Sequence, residues 1–235
     1  MPRNGMVSSL WNHAKLYKRV IRDRLESANR CFVCEGRASA KSGLCSGCRC
    51  DLPMRRSPRL ARRIEFVDDA WAAFRYEFPI TEMVRAAKFH GDLNALEVLA
   101  SGFTDEFLTY LGEVDVLVPV PLLPWRFLRR GFNQAGELAR KVSAKSGIKV
   151  RYDLAERREL WGLAQSRLNA PARRANVAAA FGIRRRVNLT GLRIAIVDDV
   201  VTTGATCSAL ASALRIGGAV RVIVVAAAAT PRHHD

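Results

Sequence analysis

The run Ile194–Thr206, with the sequence IAIVDDVVTTGAT, joins a strand-like apolar stretch to two carboxylates and a turn of small, hydroxyl-bearing residues. The stretch predicts a buried strand with Asp198 and Asp199 at its carboxyl end, which is where ligands bind in open α/β sheets. The turn opens a predicted helix, and backbone N–H groups at a helix N-terminus favour a phosphate. A phosphate site is therefore predicted at five residues of this turn: Thr202, Thr203, Gly204, Ala205 and Thr206.

The two carboxylates suit a different part of the same ligand. Carboxylate oxygens accept hydrogen bonds, so Asp198 and Asp199 fit ribose hydroxyls and, through water, a Mg2+ ion. Two acids beside an anion site repel the anion unless a sugar or a metal lies between them. The spacing favours a sugar phosphate with its phosphate in the turn and its diol at the acids. The alternative is a pair of solvent-facing acids at a strand end, followed by an ordinary helix cap.

A second cluster of reactive residues is formed by cysteines. Cys31, Cys34, Cys45 and Cys48 have the pattern C-x2-C, ten residues, C-x2-C, in which each knuckle directs two sulfurs at one point. The pattern predicts a structural zinc site, because four protein ligands leave no position open for a catalytic water. Disulfides are the alternative in an oxidising compartment, and iron is the alternative metal. Cys50 lies one residue too late for the second knuckle.

Composition limits the partners and the compartment. The 235 residues are 49% hydrophobic, with no apolar run near the roughly 20 residues of a membrane-spanning helix and no secretory pattern, so a cytoplasmic protein is expected. The formal net charge of +16 favours polyanionic partners, either phosphorylated small molecules or nucleic acid. A solvated, soluble surface is the alternative explanation of the charge.

The elements that position these residues divide the chain into three parts. Residues 1–27 form a predicted helical segment with a stripe that packs on the body of the protein or lies on a membrane surface: Leu10, Ala14, Tyr17 and Ile21. Residues 28–52 form the zinc module. A basic linker, Asp51–Arg63, leads into an α/β domain over residues 64–230.

Within that domain, strand and helix patterns alternate, which predicts a parallel sheet with right-handed crossovers. Buried strands are predicted at Ala70–Tyr76, Asp115–Val120, Val150–Leu154, Leu192–Val197 and Val220–Ala227. Helices are predicted at Thr81–Phe89, Leu93–Leu111, Asn133–Ser146 and Ala205–Ile216, with Asn133 as an N-terminal cap.

The run Ile194–Thr206 resembles the signature of the type I phosphoribosyltransferases, and the cysteine pattern with four further segments resembles the ComF family of competence proteins. These segments are MVRAAKFHGD at Met83–Asp92, VPVP at Val118–Pro121, RRGFNQA at Arg129–Ala135 and RRANVAAAF at Arg173–Phe181. The resemblance covers about residues 28–228. It implies a type I phosphoribosyltransferase-like parallel sheet flanked by helices, with a small N-terminal zinc module.

By the same resemblance, Asp198 and Asp199 are catalytic residues that hold the ribose hydroxyls of 5-phosphoribosyl 1-diphosphate (PRPP) with Mg2+, and Thr202–Thr206 binds its 5′-phosphate. The Val118–Pro121 segment, including Val120, corresponds to the diphosphate loop. The candidate cationic partners of the diphosphate are Arg130, Arg129 and Lys88. The chain departs from the family pattern at Leu123, where a histidine is common, and near Gln165, where Trp161 and Gly162 replace a usual threonine.

Membership of the ComF family implies a role with incoming single-stranded DNA during natural transformation, beside a helicase and a recombination mediator. An active phosphoribosyltransferase that transfers the sugar to a nucleobase or amine is the second reading. A scaffold that keeps the fold without a ligand is the third.

Overall fold

The computed structural model describes residues 30–38, 43–158, 180–184 and 187–231. In these ranges seven strands are found: β1 (Asp69–Arg75), β2 (Val116–Pro119), β3 (Lys149–Val150), β4 (Ala155–Arg157), β5 (Phe181–Ile183), β6 (Arg193–Val201) and β7 (Arg221–Ala229). Five of them form one sheet in the order β1-β7-β6-β2-β3, and every neighbouring pair is parallel. Strands β4 and β5 form a separate antiparallel pair. The predicted parallel sheet is confirmed.

The helices flank this sheet. They are α1 (Ser46–Cys50), α2 (Ile80–Arg85), α3 (Leu93–Ser101), α4 (Asp105–Thr109), α5 (Pro124–Arg130), α6 (Gln134–Ser146) and α7 (Ala205–Ile216), with a π-helical turn at Ala86–His90 between α2 and α3. Helices α3 and α6 pack with one face of the sheet in one apolar core, and α7 packs with the other face in a second core. None of the helices in the described ranges is long and apolar enough to span a membrane.

The two central strands explain why the sheet forms where it does. Nearly every residue of β6 and β7 is buried, as expected for parallel strands that have helices on both faces. Their register pairs Ile194 with Val222 and Asp198 with Ala226. The pattern of continuous apolar residues therefore places the two acids at one end of the most buried part of the sheet.

The predicted end of β6 was wrong by four residues. The expected strand stopped at Val197, but Val200 and Val201 still pair with β7, and the backbone N–H of Thr230 donates to the Val201 carbonyl at 3.1 Å. Asp198 and Asp199 therefore lie within the last part of the strand rather than after it. The helix predicted at Ala205–Ile216 is confirmed with the same bounds.

The single helix predicted at Leu93–Leu111 was also wrong, because the chain breaks it into α3 and α4. Gly102 lies against β1, where an added Cβ would be 2.5 Å from Phe74 Cε2. Two residues later Thr104 starts a new helix, since its Oγ1 accepts a hydrogen bond from the Phe107 N–H at 3.1 Å. Close packing against the sheet at Gly102 and a new cap at Thr104 account for the break.

Three smaller differences affect the approach to the site. The strand predicted at Val150–Leu154 is found at Lys149–Val150, and these two residues pair with β2. Asn133 is the N-cap residue of α6 as predicted, but its side chain makes no hydrogen bond to the first turn, and its Nδ2 donates to the Val120 carbonyl at 3.0 Å instead. Helix α5 was not predicted, since none of its residues is buried and it therefore shows no core-facing stripe.

The linker and the cysteine segment are packed on the domain. Residues of the linker form isolated antiparallel bridges with β1, Met54 with Phe74 and Arg59 with Trp71, which cover that edge of the sheet. Cys31 and Leu44 belong to the same apolar core as the residues of α3. The predicted helical segment 1–27 lies outside the described residues, and the proposed domain boundaries remain predictions.

Candidate functional site

The two adjacent acids lie at the carboxyl end of β6 and are nearly buried. Asp198 is 9% exposed and Asp199 is 7% exposed. The Asp199 backbone N–H donates to Asp198 Oδ1 at 2.8 Å, and Cys207 Sγ lies 3.8 Å from Asp198 Oδ2. Each acid keeps a small accessible surface, which is the geometry of a group that a ligand can reach without general access of solvent.

Burial and the adjacent carboxylate of Asp199 raise the pKa of Asp198 from 3.8 to about 7, against the opposing effects of the Asp199 N–H and the Lys88 ammonium. The same surroundings raise the pKa of the Cys207 thiol, chiefly through burial. A cation or additional hydrogen-bond donors would therefore favour the ionised form of Asp198, and a ligand with Mg2+ or sugar hydroxyls supplies either.

Lys88 is one of the cations that the fold brings to the acids. Its Nζ lies 3.0 Å from Asp199 Oδ2, and the lysine side chain is 28% exposed. Lys88 belongs to the π-helical turn, which ends at Gly91 with φ of 65°. Asp92 then caps α3 by accepting the backbone N–H groups of Asn94 and Ala95. The cap fixes the end of the turn that delivers the lysine.

Arg130 is the second cation near the acids. Burial and the field of Arg126 lower the pKa of the Arg130 guanidinium, while the negative charge of Asp199 acts in the opposite direction. The guanidinium lies 5.6 Å from the centre of the Phe89 ring, and its Nη1 donates to Gln134 Oε1 at 3.3 Å. The predicted candidate Arg129 is placed elsewhere, because its guanidinium lies over the Trp125 ring.

The turn predicted to bind phosphate connects β6 to α7. Gly204 has φ of 85°, and a Cβ at this position would lie 2.9 Å from Ile64 Cγ1, so both backbone conformation and space require glycine. Thr203 Oγ1 accepts the backbone N–H of Ala205 at 3.3 Å. Thr202 and Thr203 are exposed, and Thr206 is half-buried. The turn presents hydroxyls and N–H groups at the start of a twelve-residue helix.

The Val118–Pro121 segment lies beside this turn at the end of β2. The Val120 N–H donates to the Val197 carbonyl at 3.0 Å, so the segment is fixed to β6 directly before the acids. Three buried polar atoms next to it have no hydrogen-bond partner among the described residues: Arg130 Nε, Asn133 Oδ1 and Gln134 Nε2. Buried polar groups are nearly always paired, so these atoms indicate a place for water or a polar ligand.

Arg157 is a functional candidate that sequence reasoning missed. Burial lowers the pKa of its guanidinium, with Arg126 acting in the same direction and the charge of Asp198 acting against both. The guanidinium lies 5.3 Å from the centre of the Phe181 ring. No sequence pattern marked it, because β4 and β5 bring Arg157 toward the acids only in the folded chain.

Several predicted positions lie outside the described residues or apart from the acids. Trp161, Gly162 and Gln165 are not described, and of Arg173–Phe181 only the last two residues are. Leu123, where the family pattern has a histidine, precedes the first residue of α5 and is half-buried.

The four predicted zinc ligands are brought together. The four Sγ atoms all lie within 4.8 Å of one another, and those of Cys34 and Cys45 are 3.7 Å apart. The four residues are Cys31, Cys34, Cys45 and Cys48. A tetrahedral site with zinc–sulfur bonds of about 2.3 Å separates its sulfurs by about 3.8 Å. The observed spacing therefore fits a zinc ion held by four cysteines.

The pKa values of the cysteines in the cluster are also consistent with binding of a cation. Burial opposes ionisation of Cys31, but hydrogen bonds from the backbone of Cys34, Cys45 and Val33 lower its pKa to about 6. Hydrogen bonds with Cys34 and Cys45 raise the pKa of Cys48. Four neighbouring thiols cannot all ionise by themselves, and a divalent metal supplies the charge that lets them do so.

The central strand of this parallel sheet ends in a buried acid pair, and the turn that follows is of the kind that binds phosphate. This arrangement defines the class of the type I phosphoribosyltransferases. The model of the phosphoribosyl transferase domain matches residues 94–235. The DNA utilization protein YhgH of Salmonella typhi is 29% identical over 227 residues, which cover 94% of this chain and 92% of the relative.

Two relatives with other names lead to the particular family. Competence protein F of Haemophilus influenzae is 28% identical over 208 residues, covering 79% of this chain and 90% of the relative. Competence protein ComFC of Streptococcus pneumoniae is 31% identical over 148 residues, covering 63% and 62%. The chain belongs to the ComF family of phosphoribosyltransferase-type proteins.

Proposed function

We propose that the protein binds PRPP, or another molecule with a ribose 5-phosphate group, together with Mg2+, and that it acts on single-stranded DNA in the cytoplasm during DNA uptake. The observation that carries the ligand assignment is the buried acid pair directly before a glycine turn that starts α7. This arrangement offers acceptors for a diol and donors for a phosphate at a spacing of a few residues.

In the proposed complex, Asp198 and Asp199 accept the ribose hydroxyls and hold Mg2+ through water, and Thr202–Thr206 binds the 5′-phosphate. The diphosphate lies toward Val120, and the unpaired donors nearby are Arg130 Nε at the end of α5 and Gln134 Nε2 at the start of α6. Lys88, which is ion-paired with Asp199, then has a second anionic neighbour. Cations at the diphosphate and acceptors at the diol give the ligand one orientation.

The role in DNA metabolism is proposed from two independent observations. Relatives over most of the chain are named as a DNA utilization protein and as competence proteins. The formal net charge of +16 provides the electrostatic attraction that a polyanion requires. A helicase and a recombination mediator are the proposed protein partners, because both handle the strand that such a protein would bind.

Calorimetric titration of the full chain with PRPP and Mg2+ tests the ligand assignment. We expect saturable binding by the wild type and its loss in Asp198→Asn/Asp199→Asn. Asp153→Asn is the matched control, since it removes a carboxylate that is exposed and paired with Arg151. Folding of each variant is checked by circular dichroism. Failure of the folded wild type to bind PRPP, or equal binding by the acid-pair variant, contradicts the proposal.

Turnover is the second candidate function, and the cations Lys88 and Arg130 near the acids favour it. A nitrogen of the acceptor would form a bond to C1′ of the ribose, the bond from C1′ to the diphosphate oxygen would break, and pyrophosphate would leave with the electron pair. The proton of the acceptor nitrogen passes to water. The cations stabilise the charge that develops on the leaving group. Pyrophosphate release, measured with nucleobases and amines as acceptors, tests this step.

A further inference from the structure

Helix α5 presents apolar side chains to solvent along its whole length. Trp125 is 44% exposed, Phe127 is 48% exposed and Leu128 is 68% exposed, and no residue of α5 is buried. These side chains do not pack on the core, so packing does not explain why this short helix carries large apolar residues. Exposed apolar patches of this kind mark interaction sites. We define the α5 surface by its five central residues: Trp125, Arg126, Phe127, Leu128 and Arg129.

Arginines alternate with the rings on this surface. The guanidinium of Arg126 lies 5.1 Å from the centre of the Trp125 ring, and that of Arg129 lies 5.6 Å from it. The helix has no acidic residue. Cationic and aromatic groups side by side are the combination that binds a flexible anionic strand, because the rings stack on bases and the guanidinium groups contact phosphates.

A groove of about 800 Å³ adjoins the α5 surface, with which it shares Phe127 and Leu128. Its lining includes Phe127, Leu128, Phe132, Tyr152 and Arg157, together with Pro119 and Pro121 at the end of β2. Its carboxylates are held in ion pairs, which reduces their repulsion of an anion.

Glu137 is paired with Arg140 at 2.9 Å, and Glu156 is paired with Arg158 at 3.7 Å and with Arg184 at 3.9 Å. Arg184 also lines the groove, so a cation lies beside Glu156 within it. The α5 surface and the groove together therefore combine exposed rings with an excess of positive charge.

We propose that the α5 surface and this groove form the contact for single-stranded DNA, with bases stacked on Trp125 and Phe127 and phosphates on Arg126 and Arg129. This inference rests on the proposed role in DNA metabolism and names the surface that performs it. An apolar protein partner fits less well, because the arginines between the rings would have to lose their hydration on burial. A strand of nucleic acid satisfies both kinds of group at once.

The test measures binding of a fluorescent thymidine oligonucleotide of about 20 nucleotides by anisotropy at several salt concentrations. For Trp125→Ala/Phe127→Ala we expect a loss of affinity of about tenfold or more, because two stacking positions are removed. Phe66→Ala is the matched control, since Phe66 is also 48% exposed but lies outside the surface. We expect no change of affinity in this control.

The arginines are tested separately by the salt dependence. Arg126→Ala/Arg129→Ala is expected to lower the slope of log affinity against log salt by about 1.4, since each phosphate contact with a single strand contributes about 0.7. Arg56→Ala/Arg85→Ala removes the same charge from exposed positions outside the surface and is expected to leave the slope unchanged. Equal effects in the two arginine pairs would show that DNA responds only to net charge and would overturn the proposal.

The same variants separate this inference from the proposed ligand. Trp125→Ala alone is expected to bind PRPP as the wild type does, because Trp125, unlike Phe127, does not line the groove that contains Pro119 and Pro121 of the proposed diphosphate segment. Wild-type binding of DNA without any binding of PRPP would refute the ligand assignment and leave the α5 surface in place. Unchanged oligonucleotide affinity in the folded aromatic variant would overturn the α5 surface, and a protein partner would then be the remaining occupant.

Discussion

Lys88 Nζ lies 3.0 Å from Asp199 Oδ2, and this ion pair connects the turn before α3 to the end of β6. The first turn of α3 lies against the cysteine segment, where a Cβ on Gly43 would lie 3.1 Å from Asn94 Cβ. One short helix therefore contacts the proposed zinc module and follows directly on the lysine of the proposed ligand site. The position of Lys88 depends on how well this helix is held.

Replacing Lys88 with methionine removes the cation nearest to the acids. We expect PRPP to bind about tenfold more weakly at neutral pH, because a charge-assisted contact is lost and Asp198, whose pKa Lys88 lowers, takes up a proton more easily. The loss of affinity should be smaller at higher pH, where Asp198 ionises without the lysine. Calorimetry at pH 7 and pH 9 measures both effects.

Two further variants define the role of Lys88. Lys88→Arg keeps the charge and is expected to recover most of the affinity, and Lys149→Met removes an exposed lysine elsewhere and should leave binding unchanged. An equal loss of affinity at pH 7 and pH 9 would refute the electrostatic explanation.

The buried acid also makes a prediction for stability. Because the pKa of Asp198 is about 7 in the folded chain against 3.8 for an ordinary aspartate, the folded state binds more protons between these values, and stability falls as pH rises through that range. Asn at this position mimics the protonated carboxyl and still accepts the Asp199 N–H. Asp198→Asn is therefore expected to be more stable than the wild type at pH 8. The difference in unfolding free energy between variant and wild type should be about 1–3 kcal/mol larger at pH 8 than at pH 5.

Urea unfolding at both pH values measures this difference. Asp153→Asn is the control, because a hydrogen bond from Arg151 lowers the pKa of Asp153 to about 2, so this carboxylate stays charged at both pH values and the effect of its removal should be the same at pH 5 and pH 8. A stability gain of Asp198→Asn that is the same at pH 5 and pH 8 would contradict the raised pKa.

The fold was largely predictable because its strongest sequence signals are its most buried strands. The apolar runs around Ile196 and Val224 are buried on both faces, and such runs indicate parallel strands without further information. The end of β6 was missed because its last residues, Val200 and Val201, pair with β7 beyond the acids, and a pair of aspartates is an unfavourable strand sequence by itself. Tertiary pairing outweighed local preference there.

The site was predictable where its residues are consecutive and not where folding assembles them. Asp198 and the turn at Gly204 lie in one run, so their neighbourhood follows from the chain itself. Arg157 approaches Asp198 only through the pairing of β4 with β5, which are three residues each. Arg129 lies over Trp125 and Arg130 lies near Phe89. The sequence could not distinguish the two arginines, because α5 has no core-facing stripe.

The cysteine cluster should contribute to the stability of the whole domain. Cys31 and Leu44 share an apolar core with residues of α3 and β1, so loss of the metal exposes more than the module. We expect Cys48→Ser to lose zinc and to lower the free energy of unfolding by about 3 kcal/mol or more. Cys50→Ser is the matched control, since this exposed cysteine is not part of the cluster.

Zinc content by atomic absorption and calorimetric unfolding, with and without a chelator, measure these changes. The chelator should lower the unfolding temperature of the wild type and of Cys50→Ser but not that of Cys48→Ser. Loss of zinc from Cys50→Ser, or a wild type that unfolds at the same temperature with and without metal, would count against the proposed ligand set.

Gly204 allows the two costs of a side chain in the phosphate turn to be separated. Gly204→Ala places a Cβ at φ of 85° and 2.9 Å from Ile64 Cγ1, whereas Gly191→Ala has a similar φ of 80° with no atom within 4 Å. We expect Gly191→Ala to lose about 1–2 kcal/mol of stability from backbone strain alone. Gly204→Ala should lose more than this, and it should also bind PRPP more weakly, because the turn must move away from Ile64. Denaturant unfolding and PRPP titration of both variants provide the comparison. Equal stability losses with unchanged PRPP affinity in Gly204→Ala would show that the turn tolerates the movement and does not contact the phosphate closely.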